Sequence, residues 1–263
     1  MRILLTNDDG IHSPVLYRVA DALAKEHDVV VVAPSTDQSG KSHGFTHRPD
    51  KLLQYLEEKQ KPYPAYQVDG TPCDCIKFAV SFLLREQQPD LVISGINLGE
   101  NAGVSAVYSG TVAAAREAAL WGIPAIAISL MGETDPHVEF ALEWMMNLLR
   151  KRDSLPVPHT LWNVNFPNCE PSEVTGTEFT SMSTVMFTDH YVEVRTDHGI
   201  TGYRLLGRKP APLFVPGTDD YALRHKSIAI TPLRIAQTDE QELIRLRSLP
   251  VRADGRPPQH VTA

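Results

Sequence analysis

Two adjacent carboxylates, Asp8 and Asp9, stand directly after a short apolar run, between Asn7 and Gly10. Side by side at the end of a buried strand they repel each other and are costly to desolvate, and a divalent cation removes both penalties. Taken alone, Asp8-Asp9-Gly10 is more often a plain turn. It does not stand alone here. Ser39 with Gly40, and Asn97 followed by Asn101, also come after apolar runs that read as strands. In an open parallel sheet, the residues that follow the strands gather on one rim, where ligands bind. Two carboxylates, a hydroxyl and an amide oxygen make an all-oxygen donor set. That set suits Mg²⁺, Mn²⁺ or Ca²⁺ with water completing the shell, whereas zinc prefers nitrogen and sulfur.

Tyr108-Ser109-Gly110-Thr111 opens an Ala-rich stretch with helical character. The free N–H groups of a helix N-terminus bind phosphate, helped by the helix dipole and by nearby hydroxyls. An ordinary cap by Ser109 or Thr111 is the plainer alternative. On the rim that carries Asn97, the phosphate reading gains weight, because a hard cation beside an anion pocket is the arrangement of metal-assisted phosphoryl chemistry.

Other motifs fail on inspection. Ser35 to Ser42 approaches a Walker A loop, but Ser35 stands where the first glycine belongs, and no helix pattern follows. Gly95-Ile96-Asn97-Leu98-Gly99 has the shape of a nucleophile elbow with Asn at its centre, which is not the nucleophile such an elbow presents. Its glycines still suit a tight turn that aims Asn97 outward. No GxGxxG follows the first strand, so a dinucleotide fingerprint is absent. His43 and His47 are loop residues without metal-ligand spacing, and Trp144, Met145 and Met146 read as core.

The elements that must position these residues alternate. Arg2 to Thr6, Asp28 to Ala33, Tyr66 to Asp69, Leu91 to Gly95 and Ala125 to Leu130 read as strands. Between them, Pro14 to Lys25, Asp74 to Arg85, Gly110 to Leu120 and Pro136 to Arg152 read as helices. The run Val29-Val30-Val31-Val32 suits a strand covered on both faces. This alternation predicts an α/β fold: a doubly wound, mostly parallel Rossmann-like sheet. Trp162 to Phe166 and Ser227 to Thr231 are candidates to join it. Tyr191 to Arg195 and Tyr203 to Leu206, flanking Gly199 and Gly202, predict a protruding β-hairpin arm. Residues 1–250 form one expected α/β domain, with a flexible tail at 251–263.

The chain has 263 residues, 42% of them hydrophobic and 22% charged, which excludes disorder over most of its length. Its 25 basic and 32 acidic residues give a net charge of -7, a poor match for a nucleic-acid polymer as main ligand. Acidic residues follow the first strand too early for a signal peptide, and no apolar run is long enough to cross a membrane. Cys73, Cys75 and Cys169 have no CxxC spacing and read as structural thiols. The expectation is a reduced, cytoplasmic protein.

With these residues in place, the sequence resembles the SurE family (survival protein E), the metal-dependent 5'/3'-nucleotidases. The resemblance runs from about Met1 to Leu233. It rests on Asn7-Asp8-Asp9-Gly10, Ala33-Pro34 with Ser39-Gly40, and Gly70-Thr71-Pro72 with Asp74. It continues through Ser94-Gly95-Ile96-Asn97 with Gly99 and Asn101, and Ser109-Gly110-Thr111-Val112-Ala113-Ala114. Trp162-Asn163-Val164-Asn165 with Pro167, and Ser227 to Pro232, complete it. Val15 stands where the family usually has Gly, and Ser105 where an Asp is common.

The resemblance implies hydrolysis of nucleoside 5'- or 3'-monophosphates, with trimming of short polyphosphate in some members. It implies that Asp8, Asp9, Ser39 and Asn97 hold one Mg²⁺ or Mn²⁺ per subunit, and that Asn101, Ser109, Gly110 and Thr111 contact phosphate. It also implies a homodimer or homotetramer built by exchanging an arm, at about residues 188–208. Asp8 is assigned the catalytic role of orienting the attacking water, with a covalent aspartyl-phosphate as the mechanistic alternative. The rival function is a metal-dependent nucleotide sensor without catalysis.

Overall fold

The computed structural model describes residues 1–47, 50–132, 134, 137–195, 199 and 201–249. The tail expected at 251–263 lies outside them. The chain divides into two compact units, the first Met1–Leu233 and the second beginning at Arg234.

The first unit begins with β1 (Arg2–Thr6), α1 (Pro14–Leu23) and β2 (Asp28–Pro34). The edge strands β3 (Tyr55–Glu57) and β4 (Ala65–Val68) follow, then α2 (Pro72–Phe78) and β5 (Leu91–Leu98). Next come α3 (Ser105–Tyr108), α4 (Gly110–Leu120), β6 (Ala125–Leu130), α5 (Val138–Leu149) and β7 (Leu161–Phe166). Strands β8 (Gly176–Phe179), β9 (His190–Arg195) and β10 (Thr201–Leu206) precede α6 (Asp219–Arg224) and β11 (Ser227–Leu233). The second unit carries α7 (Glu240–Arg247), whose first turn is capped by the Asp239 carboxylate accepting from the Glu242 amide at 2.9 Å.

Among the described residues, the strands make one nine-stranded sheet, ordered β3-β4-β2-β1-β5-β6-β7-β11-β8, and a separate β9–β10 hairpin. From β4 through β7 every neighbouring pair is parallel, while β3 and β11 run against their neighbours β4 and β7. The expected doubly wound α/β fold is present. Val29 to Val32 are all buried, as a strand covered on both faces requires. Met145 is fully buried, and Trp144 packs edge-on against Phe166 with ring centroids 5.3 Å apart.

The chain order places the site. From β1 the chain moves outward to β2 and β4, then crosses back to lay β5 on the other side of β1. The order therefore reverses between β1 and β5, and a crevice opens there beyond the strand ends. Asp8 and Asp9 follow β1, and Asn97 lies near the end of β5.

Several boundaries differ from the sequence reading for local reasons. Helix α2 begins at Pro72 rather than Asp74, because Thr71 caps it reciprocally with Asp74, and it passes into a π-turn over Ala79–Leu83. Strand β5 extends past Gly95 to Leu98 through a register shift against β6 between Ser94 and Asn97. Helix α5 is shorter than Pro136 to Arg152. The short strands β3 and β8 carry mostly exposed residues, so no buried run marks them in the sequence.

Candidate metal and phosphate site

Asp8 is held from three directions. Behind it, the turn is closed by the Asn7 side chain: Asn7 Oδ1 accepts from the Gly10 amide at 3.2 Å, and Asn7 Nδ2 donates to the Gly10 carbonyl at 3.1 Å. Gly10 has φ +102° and lies against the backbone of Pro34 and Thr36, where a Cβ would be tight. From the side, the Gln38 amide donates to the Asp8 carbonyl at 2.8 Å, tying the loop after β2 to the loop after β1. From the front comes α4. The Thr111 hydroxyl donates to Asp8 Oδ1 at 2.5 Å, and a Cβ on Gly110 would lie 2.9 Å from Asp8 Oδ2. Gly110 is what lets the carboxylate sit against the helix start.

The loop after β2 carries Ser39 on a carboxylate that the sequence pattern does not single out. Asp37 Oδ1 accepts from both the Ser39 amide (2.8 Å) and the Ser39 hydroxyl (2.6 Å). Two clasps hold the rest of this loop. Asp74, buried at the start of α2, accepts from the Thr46 amide at 2.8 Å and the Thr46 hydroxyl at 2.9 Å. Glu117, buried in α4, meets His43 Nε2, Lys77 Nζ and Trp121 Nε1, each at 2.8 Å. These partners hold its carboxyl below the usual range against the opposing effect of burial. His43 thus anchors the loop through Glu117, and neither it nor His47 lines the cleft described below.

On β5, Gly95 has φ +119°, and a side chain there would run into the Ile128 carbonyl. The bulge re-aims the strand end. Asn97 Nδ2 donates to the Gly99 carbonyl at 2.7 Å, which orients the side-chain amide and leaves its oxygen available to accept. Asn101 is buried in an amide network. Its backbone N–H donates to Asn165 Oδ1, its carbonyl accepts from Asn163 Nδ2, and its own Nδ2 donates to Ser129 Oγ, all at 2.8 Å. Asn163 and Asn165 share one face of β7, two positions apart in an apolar strand. That spacing is the available sequence signal for their joint role. Asp219, fully buried in α6, accepts from the Gly103 and Ser183 amides at 2.7 and 2.9 Å and braces the same loop.

These loops enclose a cleft of about 220 Å³ lined by Asp8, Ser39, Gly40, Asn97, Asn101, Ser105, Tyr108, Ser109 and Phe187. Of the eight residues expected at the site, Asp8, Ser39, Asn97, Asn101 and Ser109 line it. Asp9 is half-buried beside Asp8, and Gly110 and Thr111 are buried against Asp8 at the start of α4. Gly40, Ser105, Tyr108 and Phe187 are additions to the expected set. Ser109 caps α4, its Oγ accepting from the Val112 amide at 3.1 Å.

The donor set fits a hard cation. Burial pushes the Asp8 carboxyl up, opposed by the Thr111 hydrogen bond. Asp9 is pushed up to about 6 by burial and then by the charges of Asp8 and Asp37. Among the described residues no ion pair reaches Asp8, Asp9 or Asp37, so their negative charge has no counter-ion among those residues. Nor do three His, Cys, Asp or Glu side chains form a metal cage among the described residues. A cation here depends on Ser39, Asn97 and water to complete its shell.

Comparison with known proteins identifies the family of the chain. The family described as Survival protein SurE matches residues 3–189. The chain belongs to the SurE family. The 5'-nucleotidase SurE of Fervidobacterium nodosum is 37% identical over 252 residues, covering 95% of this chain and 97% of that protein. The 5'-nucleotidase SurE of Desulfatibacillum aliphaticivorans is 40% identical over 250 residues, covering 94% and 97%. The crystal structure of the SurE protein from Aquifex aeolicus superposes with a TM-score of 0.80 at 31% identity, covering 94% of this chain and 98% of that one. The short sequence blocks that carry the SurE resemblance have physical roles in the fold. Asn163 and Asn165 hold the Asn101 loop, and Thr71 with Asp74 clasps the loop that carries Ser39.

Proposed function

We infer that this SurE-family chain is a metal-dependent nucleotidase that releases inorganic phosphate from nucleoside monophosphates. One observation carries the reading. Asp8, at the switch point, is bound to Thr111 at the start of α4 and shares a cleft with Ser39, Asn97 and Ser109. The 5'-nucleotidase names of the relatives give the substrate class.

Asp8, Asp9, Ser39 and Asn97 would hold one Mg²⁺ or Mn²⁺. Such an ion lowers the pKa of water and offsets phosphoryl charge. The chain's own groups supply the rest. Ser109 Oγ accepts from Val112, so its proton is free to donate to a phosphoryl oxygen. The Gly110 and Thr111 amides lie at the positive end of the α4 dipole and favour the same anion. Asn101 Nδ2 uses one hydrogen on Ser129 and keeps the other for phosphate. The Thr111 bond at Oδ1 leaves Asp8 Oδ2 to orient water and take its proton as the bond to phosphorus forms, and as the ester bond breaks the departing nucleoside oxygen takes a proton from solvent water. The same donors would accept the end of a short polyphosphate.

The β9–β10 hairpin is assigned as an exchange arm for a homodimer or homotetramer. Among the described residues it pairs with no strand of the main sheet, and Tyr191, Tyr203 and Leu206 are exposed on it. An isolated hairpin is marginal in water, so cover by a partner copy fits. Three free cysteines, two of them buried, support a reducing compartment, the cytoplasm. No helix among the described residues is long and apolar enough to cross a membrane.

The test is phosphate release from AMP with Mn²⁺, with and without EDTA. Release that EDTA abolishes is expected. Binding of AMP without release would establish the sensor instead, and release indifferent to EDTA would remove the metal.

A further inference from the structure

The phosphate cleft does not end at the phosphate. Two of its walls, Tyr108 and Phe187, are also walls of an adjoining cavity of about 420 Å³, completed by Asp189, Leu205 and Gly207. Tyr108 directly precedes Ser109, the cap of α4, so its ring is tied to the phosphate-binding turn. Its backbone is fixed by the Ser42 amide, which donates to the Tyr108 carbonyl at 3.0 Å. The residue is nonetheless 52% exposed, and its ring stacks on no aromatic ring among the described residues. Phe187 and Asp189 lie just before β9, and Leu205 lies on β10, so the base of the hairpin arm forms the far wall.

We propose that Tyr108 and Phe187 form the aromatic nucleobase platform of this enzyme, with the foot of the hairpin arm closing over the nucleoside. This rests on the nucleotidase reading and names the part of the chain that tells a nucleotide from any other phosphomonoester. The phosphate cleft alone is small for a whole nucleotide, since small-ligand sites usually span roughly 300–1,000 Å³. The adjoining cavity supplies the missing volume on the side away from the metal ligands. Its lining is apolar and aromatic apart from Asp189, which suits a flat heterocycle. Stacking is tolerant of base identity because every base has a π-face, so the platform selects nucleosides as a class. The arm that forms the oligomer contact is thereby also part of the substrate site.

The test compares AMP with ribose 5-phosphate, which carries the same ester and lacks the base. In the wild-type protein with Mn²⁺, kcat/KM for AMP should exceed that for ribose 5-phosphate. Tyr108→Ala and Phe187→Ala should each lower the AMP to ribose 5-phosphate ratio by roughly 5- to 100-fold, the range set by loss of one base–aromatic stack. Tyr108→Phe keeps the ring and should keep the ratio. An unchanged ratio in the alanine variants, equal loss on both substrates, or a wild-type ratio near one would overturn the platform. Failure of the wild-type protein to hydrolyse either ester would instead reject the nucleotidase reading beneath it.

Discussion

The Thr111 hydroxyl donates to Asp8 Oδ1 at 2.5 Å, joining residues 103 positions apart. This bond turns the first residues of α4 into a support for the carboxylate assigned to the metal. Thr111→Val removes the donor but keeps the volume. It should weaken Mn²⁺ binding by about 2 kcal/mol, roughly 10- to 50-fold, because a hydrogen bond to a charged group is lost. Thr111→Ser should restore most of it. Calorimetric titration with Mn²⁺ measures both, and unaltered affinity in the valine variant would reduce the bond to a packing detail.

Gly110→Ala places a methyl group 2.9 Å from Asp8 Cβ and Oδ2, at a helical position where alanine is otherwise favourable. The carboxylate must move. A displacement of that kind costs on the order of 10²-fold in turnover when it disturbs catalytic geometry. Phosphate release should fall by about that factor while the melting temperature changes little. A variant with full turnover would mean that Asp8 tolerates displacement.

Asp9→Asn keeps the shape and deletes one charge from the donor set. With Mn²⁺ near its wild-type working concentration, the rate should drop by roughly 10²-fold or more, several kcal/mol of barrier. Near-wild-type turnover would exclude Asp9 from a central metal role.

The pH response follows from Asp9, whose ordinary value of 3.8 is raised to about 6 by burial and by Asp8 and Asp37. A raised acid favours the folded state while it is protonated. Its contribution to the stability of the metal-free chain is present at low pH and is lost as pH rises through about 6. A cation needs the ionised form, so proton and metal compete below that value. Mn²⁺ affinity should be flat above about pH 7 and fall by up to tenfold per pH unit below 6, with about one proton released per ion bound. Calorimetry in two buffers of different ionisation enthalpy counts that proton. Proton uptake on binding would contradict the assignment.

Glu117 anchors the Ser39 loop to α4 through His43, and α2 through Lys77. Glu117→Ala leaves His43, Lys77 and Trp121 without their acceptor and should cost about 2 kcal/mol of stability. It should also raise the Mn²⁺ concentration needed for half-maximal activity, because the Ser39 loop loses one of its two clasps. Thermal unfolding and a metal titration separate the two effects.

Much of this protein is legible in one dimension. The valine run of β2, the alternation of strands with helices, and the polar residues after β1, β2 and β5 report burial and strand ends. Those properties are local, and the chain writes them as periodicity and composition. The hairpin is visible for the same reason, since its apolar stretches are set off by glycines.

What the sequence could not carry is the choice of partner across long separations. Nothing near Thr111 says that its hydroxyl serves Asp8. Nothing near His43 points to Glu117, and the spacing of Asn163 and Asn165 signals a shared face without naming Asn101 as what they hold. Asp37 looks like one more loop acid until the fold sets it under Ser39. These pairings exist because the strand order reverses between β1 and β5, bringing the ends of β1, β2 and β5 and the start of α4 to one crevice. A side chain's type is decided by its codon, but the company it keeps is decided by which loops the sheet brings together.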